Sequence, residues 1–342
     1  KKVWWGTGGR WTEGPHIYKK DGFYYLMGAE GGTEEAHSQT ISRSNNIWGP
    51  YVNNPANPII AHANAAGQGN PLQGLGHADM VQAHDGSWWV VCHGYRKVVD
   101  YPVHHILGRE TLLAPVTWPK NGWPVVNGNG TITVNMTCPT LPQKPFEPKP
   151  VRDEFDSAKL GLEWNFFQAP TGYYSISNGA FHLTGQANQF GEPGSPAFMG
   201  RRLQHHDFAA TTTVNYEPKN DNEQAGLTLL NNNQHFDILI AKSNGKRVLY
   251  TQFKFGSLVY KSKEVTLQPG PVQLKISGEN ASFVFSYAQG GDFKVVDSVE
   301  ARYLSTETVG WFTGVYVGFY ATGNGKKCES EAVFDYFEYS GK

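Results

Sequence analysis

The chain has 342 residues, long enough for two domains. Charged residues make up 17% of it and the net charge is −1, so no basic run exists to neutralise phosphates, which argues against nucleic-acid and membrane-surface partners. No run of 18 apolar residues is present to form a membrane-spanning helix.

Aromatic residues reach 13%, with 10 Trp beside 39 Gly and 20 Pro, which points to an all-β protein handling flat, hydroxyl-rich ligands. The strand preference of Tyr, Phe and Trp accounts for most of these rings, but less well for Trp residues in glycine-rich loops. Cys92, Cys138 and Cys328 form neither a disulfide framework nor a metal cluster, and the odd count leaves at least one free or bonded to another chain. Asn129, Asn135 and Asn280 each open an N-x-[ST] triplet, the acceptor pattern of a secreted, extracellular glycoprotein.

In chain order, the first notable stretch is Gly8-Gly9-Arg10-Trp11-Thr12-Glu13-Gly14-Pro15-His16-Ile17-Tyr18, with one carboxylate between aromatics and a Gly-Pro break. Pro15 to Lys20 then reads as a strand, Asp21-Gly22 as a tight turn, Phe23 to Glu30 as the return, and Ser38 to Ser44 as a third strand. The unit repeats: Gly76 to His84, the turn Asp85-Gly86, Ser87 to Arg96, and His105 to Glu110 as the third strand. The two Asp-Gly turns lie 64 residues apart, and the same offset carries Glu13 onto His77. Repeats of a few strands with one turn signature suggest propeller blades, whose first strands line a central channel. Glu13 and His77 are then expected as neighbours at one channel mouth. Propellers have four or more blades, whereas residues 1–130 hold roughly two. Two blades leave long unpaired edges, so an N-terminal segment is expected from elsewhere, as a second chain or one absent from this sequence.

Residues 138–150 carry five prolines in thirteen positions, a stiff linker. The expected domains are therefore 1–137, the end of a propeller, and 151–342, a β-sandwich, joined by that linker. Short strands recur throughout the second part, with turns such as Asn244-Gly245. Asp153-Glu154-Phe155-Asp156 opens its first strand and Phe334-Asp335-Tyr336 lies on its last. Glu154 and Asp335 are candidates for a structural calcium, or else ordinary exposed acids.

Trp11-Thr12-Glu13-Gly14-Pro15-His16-Ile17-Tyr18 resembles the general-acid segment of family 43 glycoside hydrolases, as do Gly76-His77-Ala78-Asp79-Met80-Val81 and Leu107-Gly108-Arg109-Glu110-Thr111 in their order. Phe198 to His205 and Glu223 to Leu227 resemble the lectin-like, concanavalin A-type sandwich of the β-xylosidase and arabinofuranosidase branch. The resemblance implies an all-β fold, a partial five-bladed propeller (about blades three to five) followed by that sandwich. It also implies inverting hydrolysis with three carboxylates. Only the Glu segment matches here, so the resemblance places the Asp base and the Asp that tunes the acid in the N-terminal part.

Glu13 is accordingly the proton donor, shielded by Trp11 and glycine-rich turns so that it keeps its proton. Without the two companion segments it would read instead as a hairpin-entry Glu bonded to backbone N–H groups. His77 contacts sugar or a nearby water, or ligates a calcium in the channel as its matched position does in some members; otherwise it is a satisfied interior histidine. Arg109 is a substrate clamp, or a salt bridge with Glu110. Trp11, Trp4 and Trp5 are candidates to stack on sugar. His16, His37, His93, His104 and His105 receive no role. No cofactor is required for the chemistry. The expected activity is exo-release of α-L-arabinofuranosyl groups from arabinoxylan, with β-xylosidase action on xylo-oligosaccharides as the nearest alternative and a non-catalytic carbohydrate-binding fragment as the alternative of another class.

Overall fold

Asp21 (φ 48°) and Gly22 (φ 83°) both take left-handed backbone, the conformation of a two-residue type I′ hairpin turn. They join β1 (Glu13–Lys20) to β2 (Phe23–Glu30), and the meander continues into β3 (Ser38–Ser44) and β4 (Val52–Asn53), with β5 (Ile60–Ala61) also on β3. The second sheet repeats the plan in β6 (Leu72–Gln82), β7 (Trp88–Arg96), β8 (Glu110–Thr117) and β9 (Val125–Val126). The structure, a computed structural model, describes residues 2–63, 69–99, 102–279, 281–310 and 312–342. Asn280 of the third glycosylation triplet lies outside the described residues. The described residues of the first part hold two blade-like sheets, the partial propeller expected.

The chain divides into two compact units, residues 1–103 with 109–146, and residues 104–108 with 147–342. In the first unit Met27, Ile41, Leu75, Ala78 and Val90 are fully buried in one core. The Tyr18 hydroxyl ties the innermost strands of the two sheets together: it donates to Asp79 and accepts the Met80 N–H at 2.8 Å.

The third strand of the second repeat is Glu110–Thr117, not His105 to Glu110. Residues 104–108 do not pair in that sheet because their polar groups are taken within the second unit. The Thr306 N–H donates to the His105 carbonyl at 3.1 Å and the Val315 N–H to the Ile106 carbonyl at 2.8 Å. Glu307 accepts from the His105 N–H at 3.0 Å and from its ring Nδ1 at 2.6 Å. Arg202 donates to the Leu107 carbonyl at 2.5 Å. Gly108 and Gly314 meet back to back, since a Cβ on Gly108 would stand 2.6 Å from the Gly314 nitrogen.

The rest of the second unit is two antiparallel sheets. One has Phe208–Asn215 near its centre and the other pairs Gln224–Asn231 with Gln234–Ser243 and Tyr316–Thr322. Their inner faces meet on a ring cluster. The Phe319 ring stacks on Phe181 at 5.2 Å, meets Phe337 edge-on at 5.3 Å and lies tilted 4.3 Å from Phe334, and such offset and edge-on pairs attract beyond their area burial. The first and last strands are neighbours, with Arg152 opposite Glu338 and Asp153 opposite Phe337. Glu154 is engaged by Arg152 at 2.7 Å and Asp335 is exposed. No group of three or more His, Cys, Asp or Glu among the described residues is arranged to hold a metal.

Cys92, Cys138 and Cys328 are unpaired with one another. Burial pushes the Cys92 thiol up to about 12 and the Cys328 thiol up to about 11, so neither is a ready nucleophile. No helix among the described residues is long and apolar enough to cross a membrane.

Candidate active site

β1 opens on Glu13, which sits opposite Ala29, and its pairing with β2 shifts between Glu13 and His16. β6 carries the matching irregularity between Gly76 and Asp79. A bulge of this kind re-aims the side chains beside it. At the bulges Gly14 has φ 56° and His77 has φ 51°. A histidine in left-handed backbone costs on the order of 1 kcal/mol, a cost that persists where surrounding structure over-determines it. Glycine at 14 has a further reason. A Cβ there would lie 2.7 Å from His77 Cε1, so the His77 ring rests on the backbone of the residue after Glu13. The structure thus brings Glu13 and His77 together.

Two histidines left without a role in the sequence complete the cluster. The His93 ring lies 6.0 Å from His77 and stacks on His37 at 4.9 Å. His37 Nδ1 donates to the Gly74 carbonyl at 3.0 Å, and Gly76 leaves room for its ring, since a Cβ there would fall 2.6 Å away. His93 stands opposite Gly76 in the β6–β7 hairpin, so counting pairs back from Asp85-Gly86 is the signal that could have found it. His37 follows a glycine-rich loop and carries no such marker.

Arg109 is half-buried and donates to Thr33 Oγ1. Desolvation pulls its guanidinium below its ordinary value and the Glu13 charge opposes that pull. Glu110 is not its ion-pair partner here. That carboxylate takes a bidentate pair from Arg96, with two contacts at 2.8 Å. Desolvation, then the Arg109 charge, then His37 and His77, hold the His93 imidazole down to about 3. His37 is also lowered, by burial first, with Arg109 and His77 adding to it against the Gly74 hydrogen bond and the Glu13 charge. At neutral pH Arg109 therefore stands as a cation beside the uncharged imidazoles of His37 and His93.

An imidazole held neutral in the fold, yet free to charge near 6.5 when unfolded, makes unfolding take up a proton. The stability His93 contributes is full above about pH 6.5 and is lost as the pH falls toward its folded value of about 3. Melting temperatures measured from pH 8 to pH 4 should fall toward acid, and His93→Phe, which keeps a ring without the proton, should flatten that slope. An unchanged slope would refute the assignment.

Glu13 itself is exposed, which differs from the shielding expected of Trp11. Trp11 has φ 51° and its ring lies against Gly32, leaving it 62% exposed under the Arg10 guanidinium at 4.6 Å. Trp5 is exposed too, while Trp4 donates from Nε1 to Asn53 at 2.7 Å. Trp4, Trp5, Trp11, Glu13 and Ile17 line an open cavity of about 700 Å³. The described side chains around His77 include the His93 ring at 6.0 Å and, across Gly14, the Glu13 carboxylate; no step is derived through a calcium there.

Comparison with known proteins follows the same division. The model of glycosyl hydrolases family 43 matches residues 1–124, and that of the beta xylosidase C-terminal concanavalin A-like domain matches residues 152–340. A non-reducing end alpha-L-arabinofuranosidase of Bacteroides ovatus is 40% identical over 99% of this chain and 64% of its own length. A beta-xylosidase of Bacillus subtilis is 30% identical over 100% of this chain and 68% of its own length. Among solved structures, a Bacteroides ovatus protein titled as a xyloglucan PUL GH43B superposes with a TM-score of 0.95 at 39% identity, covering 100% of this chain and 68% of that one. The chain thus spans 64% of the length of the arabinofuranosidase it matches.

Proposed function

The chain belongs to glycosyl hydrolase family 43, and from that premise we propose that it is part of an inverting exo-glycosidase that removes α-L-arabinofuranosyl end groups. The observation that carries the reading is the meeting of one exposed carboxylate, Glu13, with the Arg109 cation and neutral His37 and His93, at a bulge capped by His77. Glu13 donates its proton to the glycosidic oxygen as the bond to the anomeric carbon breaks. Water attacks that carbon from the opposite face and gives up its proton to a second carboxylate, on the order of 6.5–9.5 Å from the first. We assign that second carboxylate to the part of the family fold that these residues do not span. Arg109 supplies fixed hydrogen-bond donors for sugar hydroxyls or for a carboxylate. The open tryptophan-lined cavity suits a sugar face.

The arabinoside is favoured by the 40% identity to an arabinofuranosidase. Identity of 30% to a beta-xylosidase supports the second reading, release of xylose from xylo-oligosaccharides. Nitrophenyl α-L-arabinofuranoside and β-D-xyloside separate them, with faster turnover of the arabinoside expected. Turnover of the xyloside alone would overturn the choice. Arabinose release from arabinoxylan, compared with arabinosylated xyloglucan, identifies the polymer. If neither glycoside is cleaved, even with an N-terminal polypeptide covering the remainder of the family domain, the protein is a carbohydrate-binding fragment instead. We also place it outside the cell, where such polymers occur; both described glycosylation triplets open on exposed asparagines, Asn129 and Asn135.

A further inference from the structure

Glu30 ends β2 and is 3% exposed, yet no role in the chemistry above falls to it. A buried carboxylate is costly unless hydrogen bonds replace its lost water. Here both oxygens are supplied by one loop and one neighbouring strand. Oε1 accepts from the Thr7 N–H at 2.6 Å and from Thr40 Oγ1 at 2.7 Å. Oε2 accepts from the Gly9 N–H at 2.7 Å and from Thr7 Oγ1 at 3.0 Å. The loop that wraps the carboxylate is the one that leads directly into Glu13. Its glycines are shaped for that wrapping. A Cβ on Gly6 would stand 2.2 Å from Oε1, and one on Gly9 would stand 2.5 Å from Oε2. Two more bonds close the turn: Thr12 Oγ1 donates to the Trp5 carbonyl at 3.0 Å, and the Gly31 N–H donates to the Arg10 carbonyl at 2.8 Å.

We propose that Glu30 is a positioning residue for the proton donor: its buried carboxylate is the template on which residues 6–12 fold, and so sets where Glu13, Trp5 and Trp11 stand. The inference rests on the reading of Glu13 as the acid. Backbone N–H groups converging on an anion form a rigid concavity, and here the anion is the protein's own. Removing the charge, while turning one acceptor oxygen into an NH2 group that faces an N–H donor, releases the loop and leaves the strands intact. A displacement of about 1 Å in a catalytic group costs on the order of 100-fold.

The test compares two arabinosides in the intact enzyme, one with an alkyl leaving group that needs a proton and one with a dinitrophenyl group that does not. Glu30→Gln should lower kcat about 100-fold on the alkyl substrate and much less on the dinitrophenyl one. Gly9→Ala, which pushes a methyl against the carboxylate without changing Glu30, should give the same split and guards against a Glu30 variant that fails to fold. Both are checked by thermal melting. Equal losses on the two substrates, or no loss in either variant, overturn the proposal. Glu13→Gln measured alongside separates the failures. If it shows the split and the other two do not, the positioning role alone is wrong. If Glu13→Gln shows no split, the acid assignment fails and this inference fails with it.

Discussion

Glu13→Gln should lower kcat on an alkyl or polymeric arabinoside by about 10³-fold, within the range that general acid catalysis contributes and equal to ~4 kcal/mol of barrier. Glutamine keeps the size and the hydrogen-bonding reach of the side chain but has no acidic proton to give. The loss should therefore fall on the chemical step, with KM nearly unchanged. It should shrink as the leaving group becomes more acidic, because such a group departs without protonation. The geometry adds a reason to expect little collateral damage. Glu13 is exposed and stands at the end of a strand, next to a bulge whose shape is set by Gly14 and His77 rather than by the Glu13 side chain. Near-normal rates on both classes of substrate would remove Glu13 from the acid role.

The second large effect is expected at Arg109. It is the cation that acts electrostatically on His37 and His93, and it lies within reach of the Glu13 charge. Arg109→Ala should lower kcat/KM about 100-fold, or ~2.7 kcal/mol, a value in line with loss of a charge-assisted hydrogen bond in a desolvated place. Arg109→Lys is the informative control. An ammonium restores the charge but not the planar fork of donors that also engages Thr33. Lysine should therefore recover only a small part of the loss. Full recovery would mean that charge alone matters and that the fork has no role.

Much of this architecture was legible in the residues. The two Asp-Gly turns marked both hairpins, because few residue types tolerate the left-handed backbone found at Asp21 and Gly22 in the first and at Gly86 in the second. Their spacing then placed His77 beside Glu13 without any three-dimensional information. Most of what was hidden has a common cause. The third strand of the second repeat was set too early, because apolar Ile106 and Leu107 look like strand residues and nothing local shows that their carbonyls are bonded to Val315 and Arg202. Burial of Glu30 was equally invisible, since a strand-end Glu before two glycines reads as an exposed turn. His93 was overlooked although the turn marks it, since counting pairs back from Asp85-Gly86 brings it across from the His77 bulge. The other misses depend on partners distant along the chain, which periodicity and turn chemistry do not report.

The five residues His104–Gly108 have a practical consequence for anyone who wishes to exchange or express these modules. The proline-rich stretch invites a cut near residue 146, yet the sandwich does not end there as a self-contained piece. A fragment beginning at residue 147 would lack the acceptors for the Thr306 and Val315 amides and the donor for Glu307, so a free-standing sandwich would expose a gap in its own polar network. Shuffling family members at the linker would likewise join a sandwich from one parent to a pentapeptide from another. The natural unit of inheritance is therefore discontinuous, and a graft that respects it carries the pentapeptide along with the sandwich it completes.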